Sequence, residues 1–261
     1  MFSAIAIFFY IGAWALLAHQ AYRRESNYKV PVLCIIALGV LAHSLAVYFS
    51  IKTPEGYYFD FFRVASLIFW SINLIVVLSS LEKPLHNLFL LLLPFATIAI
   101  LVSWQFDAHT SDISQPSSGI IAHILFSILA YALFTIASFH ALLLAYQNHK
   151  LKNKQPRGVM GLLPPLQTME TLLFELVWTG QILLTIALAT GAIFLDDMFA
   201  QHLSHKVVLS VVAWLIYAIL LFGRHILGWG GMAAIKWTLG GFVALATAYF
   251  GSKFVLELIL N

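Results

Sequence analysis

The stretch Ile120–Tyr146 runs for 27 residues without a single Asp, Glu, Lys or Arg. At ~1.5 Å per residue, a helix of that length crosses a ~30 Å hydrocarbon core with some tilt. His123 stands in its first turn and His140 near its far end. An imidazole in lipid is costly, so each of them should face protein, water or a ligand.

Seven further apolar segments accompany it: Phe2–His19, Val30–Ile51, Phe62–Leu81, Leu85–Trp104, Leu172–Leu195, Val207–Phe222 and Trp237–Leu260. The expected fold is all-α, a polytopic transmembrane helix bundle of about eight spans, forming one membrane domain over 1–261. Charged residues make up 10% of the chain, against roughly a quarter in a soluble domain. The lipid bilayer is therefore the first partner to expect. Phe2–Leu17 has no basic residue before it, and Arg23 and Arg24 follow it, the reverse of a signal peptide's charge order. It reads as a retained first span.

Orientation follows from the loops. Ten of the fourteen Lys and Arg residues fall in the first, third, fifth and seventh loops, and four on the opposite side. The positive-inside rule then places both termini outside. The polar stretch Phe106–Ser118 holds no basic residue and reads as an external loop leading to His123; His149–Val159 reads as an inner linker. Pro164 and Pro165 open the sixth helix, where first-turn N–H groups lack partners anyway. In the last span Gly240, Ala244, Ala248 and Gly251 form a small-residue stripe suited to close helix packing.

Several chemistries find no support. Cys34 is the sole cysteine, so one chain can form neither a disulfide nor a cysteine metal site. HExxH, a P-loop, GxGxxG and a nucleophile elbow are absent, which removes the usual signatures of zinc hydrolysis, ATP use and dinucleotide binding. The net charge of +3 is too small to argue for nucleic acid.

The ten histidines carry most of the functional signal. By the topology above, His43, His109, His123, His202 and His205 lie toward the outside. His19, His86, His140, His149 and His225 lie toward the inside. His43 sits roughly 12 Å below the outer end of its span, counted at ~1.5 Å per residue. A hydrogen bond to a neighbouring helix explains it as well as a ligand does. Glu175 is an acid well inside a span and hence a functional candidate.

From His123 to Gly251 the chain resembles the cytochrome c assembly family of haem-handling membrane proteins, the group of CcsA, CcmC and CcmF. Several elements match in order. His123, Tyr131, Ala132, Leu133 and Phe134 resemble the helix that opens on an external histidine. Leu163-Pro164-Pro165-Leu166-Gln167-Thr168-Met169-Glu170 resembles the start of the family's next span. Thr190-Gly191-Ala192, then Lys206, Trp214 and Arg224, Gly228-Trp229-Gly230-Gly231 and Tyr249-Phe250-Gly251 follow. The chain departs from the family in the external loop, Asp196–Val207, which has no tryptophan and keeps only Lys206 of the usual ending. Two of the family's histidines fall on Phe222 and Leu260, so His123 alone carries over. Pattern and length are most similar to the short YpjD-type inner-membrane members.

The resemblance implies a multi-pass protein of a bacterial inner membrane, with 119–260 as the family-like core behind four N-terminal spans in 1–104. It implies haem as cofactor, with His123 as a ligand to haem iron. His205 or His202 is the candidate second ligand, and His43 the reserve. Lys206 and Arg63 are candidates to meet the propionates, and Phe199, Phe194, Tyr131 and Trp178 to form aromatic walls. Such a protein is not expected to be an enzyme: it holds, orients and passes a cofactor in cytochrome complex assembly, with a membrane or periplasmic protein as an expected partner. The alternative expectation is an accessory or transport-related protein that kept the fold and lost the haem site, with Glu175, Gln181 and His140 lining an inner polar path.

Overall fold

The computed structural model describes residues 1–23, 29–53, 56–105, 117–153, 163–194 and 201–251, and at 53, 201–205 and 250–251 the backbone only. Most of the external loop with His109, most of the inner linker, Phe199 and Leu260 lie outside the described residues. Among the described residues eight helices are long and apolar enough to cross a membrane, so the protein is a multi-pass membrane protein. They are α1 (Phe2–Arg23), α2 (Lys29–Ile51), α3 (Phe61–Ser79), α4 (Phe89–Gln105), α5 (Ser118–Lys152), α6 (Leu166–Phe194), α7 (Gln201–Leu227) and α8 (Gly231–Ala246). A 3-10 turn, His86–Leu88, leads into α4, and α8 ends in a π turn, Thr247–Gly251. A two-residue ladder pairs β1 (Lys52–Thr53) with β2 (Gly56–Tyr57).

Several helices exceed their apolar runs, α5, α7 and α8 among them. α5 has 35 residues, about 52 Å at ~1.5 Å each, so it outruns the hydrocarbon and carries His149, Lys150 and Lys152 on its last turns. α7 begins at Gln201, so His202, His205 and Lys206 belong to a helix rather than to a loop. α8 begins at Gly231, six residues before the apolar run, with extended Gly230 as its N-cap. A long lysine stem can lie along apolar surface with its ammonium in water, so Lys236 does not end a span.

The chain divides into two compact units, Met1–Gln115 with Lys150–Pro164, and Pro116–His149 with Pro165–Asn261. The first contains α1 to α4. Its helices are joined by specific polar ties inside an apolar core. Tyr10 of α1 bonds His43 Nδ1 of α2 at 3.2 Å, and His43 Nε2 meets Ser66 Oγ of α3 at 2.9 Å. Gly39 lets α2 close on the Tyr10 ring, since a Cβ there would lie 2.7 Å from it. Pro94 inside α4 has no N–H to give the Leu90 carbonyl four residues back. Trp14 Nε1 of α1 donates to that carbonyl at 3.0 Å, so the vacancy made by proline becomes an interhelical bond.

The second unit is organised around one layer of four residues. Phe134 of α5 and Tyr217 of α7 stack at 3.8 Å between ring centroids, with planes 11° apart. Gly180 of α6 backs the Phe134 ring and Gly241 of α8 backs the Tyr217 ring; a Cβ would come within 2.9 Å and 2.7 Å of them. Tyr217 Oη donates to the Thr238 carbonyl at 3.3 Å. Small residues thus do serve close packing here, but on a stripe that shares only Ala248 with the expected one. Gly240 is exposed with open space around it, while Ala234, Thr238, Gly241, Leu245 and Ala248 are buried. The i, i+4, i+7 spacing from Ala234 sets that face.

Candidate functional site

His123 lies in the second turn of α5, at the end of this unit where α6 finishes and α7 starts. Two contacts fix that corner. Gly119 receives the Phe194 ring of α6 so closely that any Cβ would collide with it. His123 Nδ1 lies 2.8 Å from the Ala187 carbonyl of α6. A carbonyl only accepts, so Nδ1 carries the proton and donates it. The neutral ring then holds its lone pair on Nε2, which has no hydrogen-bond partner among the described residues. An Nδ1–H anchored on backbone with Nε2 left open is the arrangement in which imidazole ligates a metal. The ring is half-buried.

The anchor is shared. Thr190 Oγ1 also reaches the Ala187 carbonyl at 3.0 Å, and the Ile186 carbonyl at 2.8 Å. The sequence reading missed both Ala187 and Thr190 as parts of the site. A backbone carbonyl leaves no side-chain signature, and a threonine bonding three or four residues back looks like any other helical threonine.

The other sequence candidates stand as follows. His202, His205 and Lys206 occupy the first turns of α7, at the i, i+3 and i+4 positions of one helical face. Lys206 is half-buried, and the two histidine side chains lie outside the described residues. His43 is wholly buried in the first unit with both ring nitrogens in hydrogen bonds. Arg63, also in the first unit, is paired with Asp60 at 2.9 Å and bonds Ser50 through Nε at 3.2 Å. Tyr131 is buried between Phe242 and Tyr249, whereas Trp178 is about half exposed.

The residues suggested for an inner path are dispersed among backbone carbonyls. His140 Nε2–H donates to Met169 at 2.8 Å, and Gln181 Nε2–H donates to Trp214 at 3.2 Å. Glu175 lies on the exposed face of α6.

A second constellation gathers three of the sequence elements that carried the likeness. Glu170, Arg224 and the Gly228–Gly231 turn meet at the start of α6. Glu170 Oε1 accepts from Arg224 Nη1 at 2.8 Å, and Oε2 accepts the Gly231 N–H at 3.1 Å. Arg224 Nη1 also donates to the Trp229 carbonyl at 3.0 Å, and its guanidinium lies over the Phe174 ring. Gly228 and Gly231 have φ of +67° and +52°, a conformation that glycine adopts without a Cβ penalty. Gly230 has no room for a side chain against Glu170. These residues lock the α7–α8 turn onto α6, far along the helices from His123: Glu170 and Ala187 are 17 residues apart on α6, about 25 Å at ~1.5 Å each.

Among the described residues no three of His, Cys, Asp and Glu gather to hold a bare metal ion. Haem iron asks less of the protein, because the macrocycle fills four positions and only axial donors are needed. His123 would hold such an iron through its open Nε2.

Comparison with known proteins bears on the same residues. The family model described as Cytochrome C assembly protein matches residues 3–260, so the likeness extends across the first four helices as well. The chain is 27% identical over 261 residues to inner membrane protein YpjD of Escherichia coli K12, covering 99% of each. It is 30% identical over 197 residues to a 28.8 kDa protein of Azospirillum brasilense, covering 72% of this chain and 71% of that one. Against cytochrome c biogenesis protein CcsA of Prochlorococcus marinus AS9601 the identity is 25% over 162 residues, 53% of this chain and 52% of the other. No solved structure matches.

Proposed function

The chain belongs to the cytochrome c assembly family, and on that footing we propose that it binds haem in a bacterial inner membrane and holds it for cytochrome complex assembly, with His123 Nε2 as an axial ligand. The observation that carries this reading is the fixed tautomer of His123. Its Nδ1–H is committed to the Ala187 carbonyl and its Nε2 is open. Of the histidines with described ring bonds inside spans, His43 uses both nitrogens and His140 bonds a backbone carbonyl from a fully buried position. His205 or His202, at the start of α7, is the proposed second ligand, and Lys206 the partner of a propionate.

When bound, the haem would supply an iron that can change oxidation state; the protein's part in this reading is to hold and orient it. Its residues orient one imidazole, exclude lipid from it and supply positive charge at the rim. The relatives support this assignment by name: the Prochlorococcus protein is described as a cytochrome c biogenesis protein, and the Escherichia coli protein as an inner membrane protein.

Haem titration of the purified full chain tests the reading. We expect saturable uptake at one haem per chain with a Soret band, and His123→Ala weakening it at least tenfold. Absence of saturable uptake by the unaltered chain would overturn it.

A further inference from the structure

The first unit contains a cavity of about 350 Å³ where α1 and α3 begin and α2 and α4 end. That size is within the range of small-molecule sites. Its chemistry is selective. The one charged side chain on its wall, Arg63, is already neutralised by the wholly buried Asp60. What remains for a ligand is a set of serine hydroxyls and the α-amino group of Met1.

Ser66 is the most informative of them. Its Oγ meets His43 Nε2 at 2.9 Å, and on the other side of that ring Nδ1 meets the Tyr10 hydroxyl at 3.2 Å. Tyr10 and His43 are both wholly buried, and the Tyr10 hydroxyl has no other partner. Were Nδ1 the donor, the Tyr10 proton would be buried with no acceptor, which is costly. Tyr10 therefore donates to Nδ1, Nε2–H donates to Ser66 Oγ, and the Ser66 proton is left over at the cavity wall. Ser50 stands likewise: its Oγ accepts from Arg63 Nε at 3.2 Å, and its own proton has no acceptor among the described residues. Ser103 does not contribute, because its proton goes to the Ile100 carbonyl at 3.0 Å.

The rim is aromatic. Phe2 and Phe49 lie nearly parallel, 5.7 Å apart, and Phe49 and Trp104 are each more than half exposed. The site thus presents hydroxyl donors within and flat apolar faces at its mouth. A cation would meet no free acid on the wall. Haem would find both His43 nitrogens taken. We propose that this cavity binds the head of a membrane quinone, a neutral flat ring whose carbonyl oxygens accept from Ser66 and Ser50 and whose apolar tail leaves past Phe49 and Trp104.

The probe is a benzoquinone with a ten-carbon tail, titrated into the full chain in nanodiscs and followed by quenching of tryptophan fluorescence. Trp104 lines the cavity and serves as the local reporter. We expect saturable quenching that Trp104→Phe largely removes. Loss of one neutral hydrogen bond in Ser66→Ala should weaken binding about fivefold. Filling the wall with Ala46→Phe should abolish it. Quenching by the unaltered chain that never saturates, or that both wall variants leave unchanged, would overturn the proposal. So would displacement of the quinone by oleate at lower concentration, which would make this a site for anions.

Discussion

Adjacent glycines in α8 should respond to alanine with opposite sign. Gly241→Ala places a Cβ 2.7 Å from Tyr217 Cζ and 2.9 Å from Cε2, closer than carbon atoms approach. The ring cannot simply retreat. It is stacked on Phe134 at 3.8 Å, its hydroxyl is bonded to Thr238, and Phe134 is itself backed by Gly180. Over-packing of this kind costs about 1–3 kcal/mol. Replacing a mid-helix glycine returns at most about 1 kcal/mol of backbone entropy. The clash wins, and we expect a net loss of about 1–2 kcal/mol. At Gly240 nothing lies within 4 Å of the new methyl, so only the entropic gain acts there. Gly240→Ala should stabilise by up to about 1 kcal/mol. Equilibrium unfolding of the full chain in mixed detergent and SDS reads both changes on one scale. Tyr217→Leu combined with Gly241→Ala should show a favourable coupling, since the smaller side chain removes the clash. A stabilised Gly241→Ala, or two variants that shift together, would refute the four-helix layer as described.

Other consequences can be checked separately. Glu170→Ala removes two charge-assisted bonds from the α7–α8 turn but leaves Arg224 partly solvated, so we expect a loss of about 1–2 kcal/mol in the same unfolding assay, and no loss would contradict the lock. Trp14→Phe leaves the Leu90 carbonyl opposite Pro94 without its donor and should cost about 1–3 kcal/mol, largely rescued by Pro94→Ala, which restores a helical N–H. Gly223→Ala drives a methyl into the Trp229 ring and should separate it from Trp237, its stacking partner at 5.6 Å; an unchanged tryptophan emission spectrum would count against that packing. For orientation, Ser3→Cys in a Cys34→Ser background should react with a membrane-impermeant maleimide from outside intact spheroplasts, and labelling only after lysis would invert the topology read from the loops.

The spans were legible because a run without charge has one stable form in lipid, a helix. Their ends were less so. Hydropathy ended the seventh and eighth helices where polar residues began, yet Gln201–Lys206 and Met232–Lys236 continue as helix, because backbone hydrogen bonds do not depend on side-chain polarity. His123 could be singled out by its place in a long apolar run, but its tautomer is set by Ala187, 64 residues away. The same distance in sequence hid the meaning of Glu170, whose partners are 54 and 61 residues downstream. His43 and His140 looked alike in sequence. Only their neighbours distinguish a ring with both nitrogens engaged from one bonded to a single carbonyl. On α8 the expected packing stripe met the buried face at Ala248 but took Gly240 for Gly241, since the two glycines are equivalent in composition and differ only in which faces Tyr217.

The central claim is that His123 Nε2 is an iron ligand, and its most direct test is the absorption spectrum of haem-loaded protein carrying His123→Gly, with and without free imidazole. The account predicts that the substitution displaces the Soret maximum and that imidazole, entering the vacated space, restores it. A glycine variant that takes up haem with the spectrum of the unaltered chain, and ignores imidazole, would contradict it.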